Sequence, residues 1–175
     1  MPMRWRAGTG LMVDAIQFRQ LWGKFATGVA VVTTIEPDGG VHGMAANGIT
    51  SLSLEPMLVL VCVGHERQSY GLMKTTGRFA INLLAEDQKE IAEYYSRPTE
   101  KKVGDVKPSF SFTRQGSAIL DSCLGSVDCH VVAEHEHGDH TIFIGEVDEI
   151  RVSGGKPLVF FEGKMGGLDW GASQT

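Results

Sequence analysis

Residues 43–56 read GMAANGITSLSLEP, and two apolar, β-branched runs flank them: VAVVTTI at 29–35 and MLVLVCV at 57–63. Runs of this kind predict strands. The small residues between them offer backbone N–H groups and hydroxyls with little bulk, which suits a phosphate or the polar edge of a heterocycle. We interpret residues 43–56 as a cofactor-binding loop between two strands. A hairpin of small residues that only packs against a neighbouring strand is an equal alternative from composition alone.

The length and composition of the chain indicate one soluble globular domain. At 175 residues, such a chain buries about two-thirds of its unfolded surface. Its residues are 42% hydrophobic and 21% charged, which is ordinary for this class. The net charge of -5 offers no basic surface, so we expect no nucleic-acid partner. No apolar run is long enough to cross a membrane and no signal-peptide core follows the first residues, so we expect no membrane association.

The cysteines indicate a compartment. There are three of them, Cys62, Cys123 and Cys129, an odd number at unremarkable spacing. A reducing cytoplasm is the simplest location for such a set. We expect Cys123 and Cys129 to be inert packing residues rather than redox partners.

The hydrophobic patterns predict one helix followed mostly by strands. Asp14 is expected to cap the first helix and Gly28 to end it. Residues 36–40, EPDGG, predict a tight turn, so the chain should return antiparallel. An amphipathic helix is expected at 86–96. Strands are predicted at 29–35, 41–46, 78–84, 127–134, 141–152 and 158–161.

These elements favour a β-barrel. Many strands joined by Gly-rich turns, with few helices, are typical of a barrel rather than a doubly wound sheet. We expect a single domain over residues 14–170, preceded by a flexible tail at 1–13 and followed by a tail at 171–175.

The nucleotide-binding motifs of α/β folds are missing from the sequence. Gly43 and Gly48 have the first spacing of a phosphate loop, but Ile49 and Thr50 follow where Lys and Ser or Thr are needed. No GxGxxG joins a predicted strand to a helix, so a Rossmann fold has no support. A nicotinamide or a flavin would therefore bind on a β-rich scaffold.

Four segments in order resemble one family. QFRQLWGKFATGVAVVTT, HGMAANGITSLSLEPMLVLVCV, GRFAINLL and GDHTIFIGEV are similar to the short-chain flavin reductases of the flavin-reductase-like, FMN-binding split-barrel family. The resemblance implies a mainly β, Greek-key split β-barrel with a few short peripheral helices, usually a homodimer. It also implies an NAD(P)H:flavin oxidoreductase that binds FMN or FAD, oxidises NADH or NADPH, and supplies reduced flavin to a partner monooxygenase.

The resemblance also implies a set of cofactor-binding residues. The segment 43–51 matches the flavin loop, with Gly48 where relatives commonly have Ser. The turn at 63–69 matches the phosphate site, where Arg67 donates to a phosphate and Ser69 also caps the next helix. His140 matches the nicotinamide side. The full set is Gly43, Met44, Ala45, Ala46, Asn47, Gly48, Thr50, Ser51, Cys62, Val63, Gly64, Arg67, Gln68, Ser69, His140, Phe161 and Lys164.

The implied chemistry needs no proton-transferring side chain. A hydride passes from nicotinamide C4 to flavin N5, so the cofactors carry the reaction and we name no catalytic residue. Two other hypotheses stay open: a non-catalytic flavin-binding or electron-carrier protein on the same barrel, and a metal-binding module using the histidines of 135–140. Tight hairpin turns commonly collect polar residues, and no CxxC is present, so we expect no metal site.

Overall fold

The fold is that of a computed structural model, which describes residues 13–98 and 106–169. The predicted tails, apart from Val13, lie outside these residues. The first helix, α1 (Ala15–Gly23), begins as predicted, because the Asp14 carboxylate accepts a hydrogen bond from the Gln17 backbone N–H at 2.7 Å. It ends at Gly23 and not at Gly28, because residues 27–28 form a short strand that pairs with 159–160.

Strands dominate the rest of the chain. The other helices are α2 (Gln68–Thr76) and α3 (Lys89–Ser96), and a 3-10 turn, Glu86–Gln88, precedes α3. The strands are β1 (Thr27–Gly28), β2 (Ala30–Ile35), β3 (Val41–Ala46), β4 (Ile49–Leu54), β5 (Met57–Gly64), β6 (Arg78–Leu83), β7 (Phe110–Phe112), β8 (Ala118–Leu120), β9 (Gly125–His137), β10 (His140–Val152), β11 (Val159–Phe161) and β12 (Lys164–Gly166). The prediction missed β7, β8 and β12, each only three residues long.

One large antiparallel sheet forms the barrel. Its seven strands follow the order β3-β2-β6-β9-β10-β5-β4. The two edge strands, β3 and β4, are consecutive in the chain and are joined by Asn47 and Gly48 alone. The sheet therefore curls until its edges meet at this connection, yet β3 and β4 do not pair with each other. This opening is the split of the barrel, and the predicted fold class is confirmed.

The strand predicted at 41–46 is confirmed as β3, whereas the loop predicted over 43–56 is wrong. Residues 43–46 belong to β3, which pairs with β2, and 49–54 form β4, which pairs with β5. Small residues also suit an edge strand, because strand pairing on one side satisfies half of their backbone groups. The other half lies along the free edge of the sheet.

The core lies on both sides of the sheet. Along β2, five consecutive residues are buried because alternate side chains point to opposite faces. Val32 packs inside the barrel with Phe79 and Phe143. Val31 packs on the outside with Tyr95 of α3. This outer layer holds α3 against β3, where the cavities described below lie.

No helix within residues 13–98 and 106–169 is long and apolar enough to cross a membrane.

Candidate functional site

Two neighbouring cavities follow the free edge of β3. The larger has a volume of about 410 Å³ and the smaller about 140 Å³. Ser96, the last residue of α3, lines both. The larger is lined by His42, Gly43, Met44, Glu66, Arg67, Gln68, Ser69, Tyr95, Ser96, Arg97 and Pro98. The smaller is lined by Val29, Ala45, Ala46, Asn47, Ser96, Phe160 and Met165.

The edge of β3 that pairs with no other strand lies along these cavities. Residues 42–47 line one cavity or the other without a gap, although successive side chains of a strand point to opposite faces. The cavities therefore lie along the backbone edge itself. Gly43 permits the approach of α3, because a Cβ atom on Gly43 would stand 2.5 Å from Tyr95 Cε1. Burial raises the pKa of Tyr95 to about 12, so its phenol stays neutral.

The start of α2 forms the opposite wall of the larger cavity. Arg67 is the N-cap residue, and its side chain makes no capping hydrogen bond. Its Nε lies 3.3 Å from Glu66 Oε1, and its side chain is 41% exposed. A helix N-terminus carries a partial positive charge and attracts anions. Together with Arg67 it gives this wall the chemistry that a phosphate would need.

Ser69 does not cap α2, contrary to the prediction. It is the second residue of the helix, and its Oγ lies 2.9 Å from Nε2 of His42 on β3. Both side chains are buried. The hydroxyl is therefore engaged across the cavity wall rather than with the helix backbone.

His140 lies near this end of the barrel but does not line either cavity. It opens β10 and stands opposite Gly64 in the pairing of β10 with β5. Its Nδ1 lies 2.7 Å from Asp139 Oδ1, and this hydrogen bond lowers the pKa of that carboxyl. The Asp139 carbonyl accepts from the His65 N–H at 3.0 Å, which ties the turn before β10 to the turn before α2.

Several predicted site residues face elsewhere in the protomer. Thr50 and Ser51 line a third, apolar cavity of about 290 Å³ between β4 and the far ends of β9 and β10. Val63 is fully buried in the barrel core. Phe160, not Phe161, lines the smaller cavity, because the side chains of adjacent strand residues alternate. Lys164, which pairs with Phe161 in the β11–β12 hairpin, is exposed and is not among the lining residues.

Gly48 and Cys62 are in direct contact. The Cys62 N–H donates to the Gly48 carbonyl at 2.8 Å. A Cβ atom on Gly48 would stand 3.4 Å from Cys62 Cβ, an ordinary contact distance. Burial raises the pKa of the Cys62 thiol, which makes it a poor nucleophile.

We expect Gly48→Ser to fold with a free energy of unfolding within about 0.5 kcal/mol of the parent, because the new Cβ fits. If Gly48 belongs to the flavin loop, the added hydroxyl should leave flavin affinity unchanged or increase it. Urea unfolding and fluorescence titration with FMN and FAD measure the two quantities. A large loss of flavin affinity in a stable variant would contradict the placement of Gly48 in the site.

Nine residues that line the two cavities are not in the predicted set: Val29, His42, Glu66, Tyr95, Ser96, Arg97, Pro98, Phe160 and Met165. His42 stands directly before Gly43 in the quoted segment HGMAANG and could have been noticed there. Tyr95 and Ser96 lie at the end of the predicted amphipathic helix, but no sequence pattern shows which strand that helix covers. Their role follows only from the packing of α3 against β3.

The cysteines and histidines outside the cavities show no assembled site. Cys123 and Cys129 are buried and unpaired by a disulfide, and burial raises the pKa of the Cys129 thiol to about 12. Within the described ranges, no group of three or more His, Cys, Asp or Glu side chains is placed to hold a metal ion.

The fold and the cavities define a split-barrel protein with an anion-attracting cleft beside a bare strand edge. The family model of the flavin reductase like domain matches residues 22–169. The chain therefore belongs to the flavin reductase like family, and the resemblance seen in the sequence is confirmed.

Individual relatives agree with this family. An NADH-dependent flavin reductase from a Rhodococcus species is 35% identical over 159 residues, covering 90% of this chain and 88% of the relative. The reductase subunit HsaB of a flavin-dependent monooxygenase from Mycobacterium tuberculosis is 36% identical over 162 residues, covering 90% and 84%.

Solved structures share the fold. The flavin reductase PheA2 in its native state superposes with a TM-score of 0.83 at 38% identity, covering 90% of this chain and 99% of its own. The flavin reductase of the styrene monooxygenase from Pseudomonas putida S12 gives a TM-score of 0.79 at 32% identity, covering 88% and 99%.

Proposed function

We propose that this protein is an NAD(P)H-dependent flavin reductase that transfers a hydride from NADH or NADPH to FMN or FAD. The observation that carries the proposal is the larger cavity, which lies between the edge of β3 and the start of α2 beside Arg67. Relatives named as flavin reductases and as monooxygenase reductase subunits support it. They do not favour an electron carrier or a metal-binding module.

The groups that line the cleft suit the ring and the phosphate of a flavin nucleotide. Residues 43–47 of the β3 edge line the two cavities, and their mostly small side chains allow a planar ring to come close. The α2 N-terminus and Arg67 supply positive charge for a phosphate. We assign Gly43, Met44, Ala45, Ala46 and Asn47 to the ring and ribityl chain. We assign Arg67, Gln68 and Ser69 to the phosphate.

Three of the remaining predicted residues lie outside the two cavities along β3. We propose His140, beside Gly64, for the nicotinamide side of the site. Thr50 and Ser51 lie on the other face of the barrel opening, so a second protomer would have to bring them to a flavin. A bound flavin supplies the hydride-accepting N5 atom. The protein itself would position the flavin and nicotinamide rings, exclude water from them, and donate hydrogen bonds to the flavin from the edge of β3.

The activity test is direct. Purified protein should oxidise NADH or NADPH only when free FMN or FAD is added, as followed by absorbance at the nicotinamide band. A yellow protein that binds flavin without oxidising either nicotinamide would indicate the electron carrier instead. Absence of both binding and oxidation would refute the proposed function.

Arg67→Ala should weaken FMN binding by about tenfold, the loss expected for one charge-assisted hydrogen bond at an accessible site. Riboflavin lacks the phosphate, so its affinity should not change. Glu66→Gln is the matched control, since it removes the carboxylate that pairs with Arg67 at 3.3 Å. That variant should keep or increase FMN affinity. Equal losses for FMN and riboflavin in Arg67→Ala would contradict the assignment.

We propose that the active form is a homodimer that uses the open apolar face of β4 and β10. Leu54, Ile150 and Val152 are 88%, 53% and 86% exposed on this face. Exposed apolar side chains around an apolar cavity are typical of interaction surfaces. Light scattering should then give about 38 kDa, twice the 19.0 kDa of one chain. A mass of one chain at micromolar concentration would oppose this proposal.

We further propose that residues 14–170 fold as the single catalytic domain and that the protein acts in the cytoplasm. The reduced flavin is delivered transiently to an oxygenase component. The reductase subunits among the relatives support that delivery. Coupled turnover with a flavin-dependent oxygenase tests it, since product should form only when this protein, a nicotinamide and free flavin are all present. Hydrogen peroxide without product would show that the reduced flavin is oxidised by oxygen and does not reach the oxygenase.

A further inference from the structure

Three polar side chains form a continuous line that ends at the larger cavity. Glu36 Oε1, at the end of β2, lies 3.3 Å from His42 Nδ1. His42 Nε2 lies 2.9 Å from Ser69 Oγ. His42 and Ser69 are only 5% and 1% exposed. Gln68 Nε2 donates a hydrogen bond to the same Glu36 oxygen at 3.3 Å and so helps to hold the Glu36 carboxylate in place.

The carboxylate determines which imidazole nitrogen carries the proton. An ionised carboxylate favours a proton on the ring nitrogen nearer to it, so the ion-pair contact with Glu36 at 3.3 Å favours a proton on His42 Nδ1. In the neutral imidazole, Nε2 is then an acceptor, and the Ser69 hydroxyl must donate to it. The Ser69 proton is therefore directed at His42 and cannot be donated to an anion in the cavity.

Protonation of His42 reverses the direction of the hydrogen bond between His42 and Ser69. The imidazolium donates from both nitrogens, so Nε2–H donates to Ser69 Oγ and the hydroxyl proton is released. Ser69 can then donate toward the cavity, and the new positive charge on His42 also attracts an anion. Both effects strengthen the binding of an anion in the cavity.

Within the described residues, the other ionisable groups that line the cavity with His42 do not reproduce this behaviour. Arg67 and Arg97 line the cavity from α2 and α3, but a guanidinium stays protonated throughout the neutral range. Burial raises the pKa of Tyr95 to about 12, so it does not ionise there either. Glu66 pairs with Arg67 outside the line and would repel an anion at any neutral pH.

We propose that binding of the flavin phosphate in this cavity is coupled to the uptake of a proton from solvent by His42. Glu36 favours the tautomer of His42 that has its proton on Nδ1. When His42 is protonated, the Ser69 hydroxyl turns from His42 and donates to the phosphate. His42 is thus a positioning residue for the phosphate. This inference rests on the flavin-binding function proposed above.

Calorimetric titration in buffers of different ionisation enthalpy measures the proton count. At pH 7.5, FMN and FAD should each bind with net uptake of up to one proton, and riboflavin with none. The FMN phosphate has its own second pKa of about 6. Binding of FMN as the dianion releases the proton that part of the free FMN carries, so this effect lowers the net proton uptake. No uptake with either nucleotide, or equal uptake with riboflavin, would overturn the inference.

Glu36→Gln separates this relay from a merely structural role. The amide can donate to Nδ1, so the neutral imidazole can keep its proton on Nε2 and leave the Ser69 hydroxyl available. Wild-type FMN affinity should fall by up to about tenfold per pH unit where His42 loses its proton. In Glu36→Gln the affinity should persist to higher pH, with a weaker pH dependence and less proton uptake than in wild type, because the Ser69 hydroxyl is available in both forms of His42.

The controls keep the test decisive. Glu93→Gln removes an equivalent carboxylate from the exposed face of α3, where it pairs with Lys89 at 3.8 Å, and should behave like wild type. His42→Gln cannot titrate and should also lose the uptake. A wild-type pH profile in Glu36→Gln would overturn the inference. Failure of wild type to bind any flavin would refute the proposed function as well, whereas flavin-dependent NADH oxidation without proton uptake would refute the inference alone.

Discussion

Gly43→Ala should weaken flavin binding by roughly tenfold to a hundredfold, with a loss of about 1–3 kcal/mol in the free energy of unfolding. The new Cβ would stand 2.5 Å from Cε1 and 2.8 Å from Cδ1 of Tyr95. Tyr95 is 5% exposed and belongs to the outer core, so its ring cannot swing away without moving α3. Both strand and helix line the cavity, so any such shift reshapes the proposed flavin site.

Gly28→Ala is the matched control for this prediction. Nothing lies within 4 Å of the Cβ position of Gly28. That variant should keep wild-type flavin affinity by fluorescence titration and wild-type stability by urea unfolding. If Gly43→Ala bound flavin as well as Gly28→Ala does, the close contact of α3 with β3 would not be part of the flavin site.

Asp128→Ala should destabilise the fold by about 3–5 kcal/mol, the cost of removing one partner from a buried ion pair. The Asp128 side chain is fully buried, and its Oδ1 lies 2.9 Å from Nη2 of Arg78. That oxygen contact lacks hydrogen-bond geometry and is mainly electrostatic. Oδ2 accepts from Thr113 Oγ1 at 2.7 Å. The pair joins β6 to β9, next to each other in the large sheet.

Asp148→Ala tests the same arginine from its exposed side. Asp148 Oδ2 lies 2.8 Å from Arg78 Nη2, but its side chain is 23% exposed. Water can replace this partner, so we expect a loss of about 1 kcal/mol. Urea unfolding gives both values. A cost for Asp128→Ala no larger than that for Asp148→Ala would show that the buried pair does not hold the two strands together.

Much of the fold was accessible from the sequence because its signals are local. The cap at Asp14, the turn at 36–40 and the long strands β9 and β10 follow from side-chain chemistry within a few residues. Three-residue strands such as β7 and β8 carry too little pattern to be recognised. Within the segment 43–56 the strand β4 was not predicted, because small residues suit an edge strand as well as a loop.

The site was only partly accessible for a different reason. The resemblance selected Gly43 and Arg67 correctly as neighbours of one cavity, although they lie on separate elements. It could not show that Ser69 bonds to His42, since these residues are 27 positions apart and meet only when α2 packs beside β3. Nor could it show that Thr50 faces the opposite side of the barrel.

The family, the barrel class and the small-residue segment that we propose contacts a flavin could all be predicted from the sequence. Those properties depend on residue type and on order along the chain. The arrangement of the segment as two strand edges at the split of the barrel, and the line of Glu36, His42 and Ser69 into the cavity, became visible only in the folded chain. Hydrogen bonds and ring contacts between distant residues depend on how the sheet curls and where the helices pack.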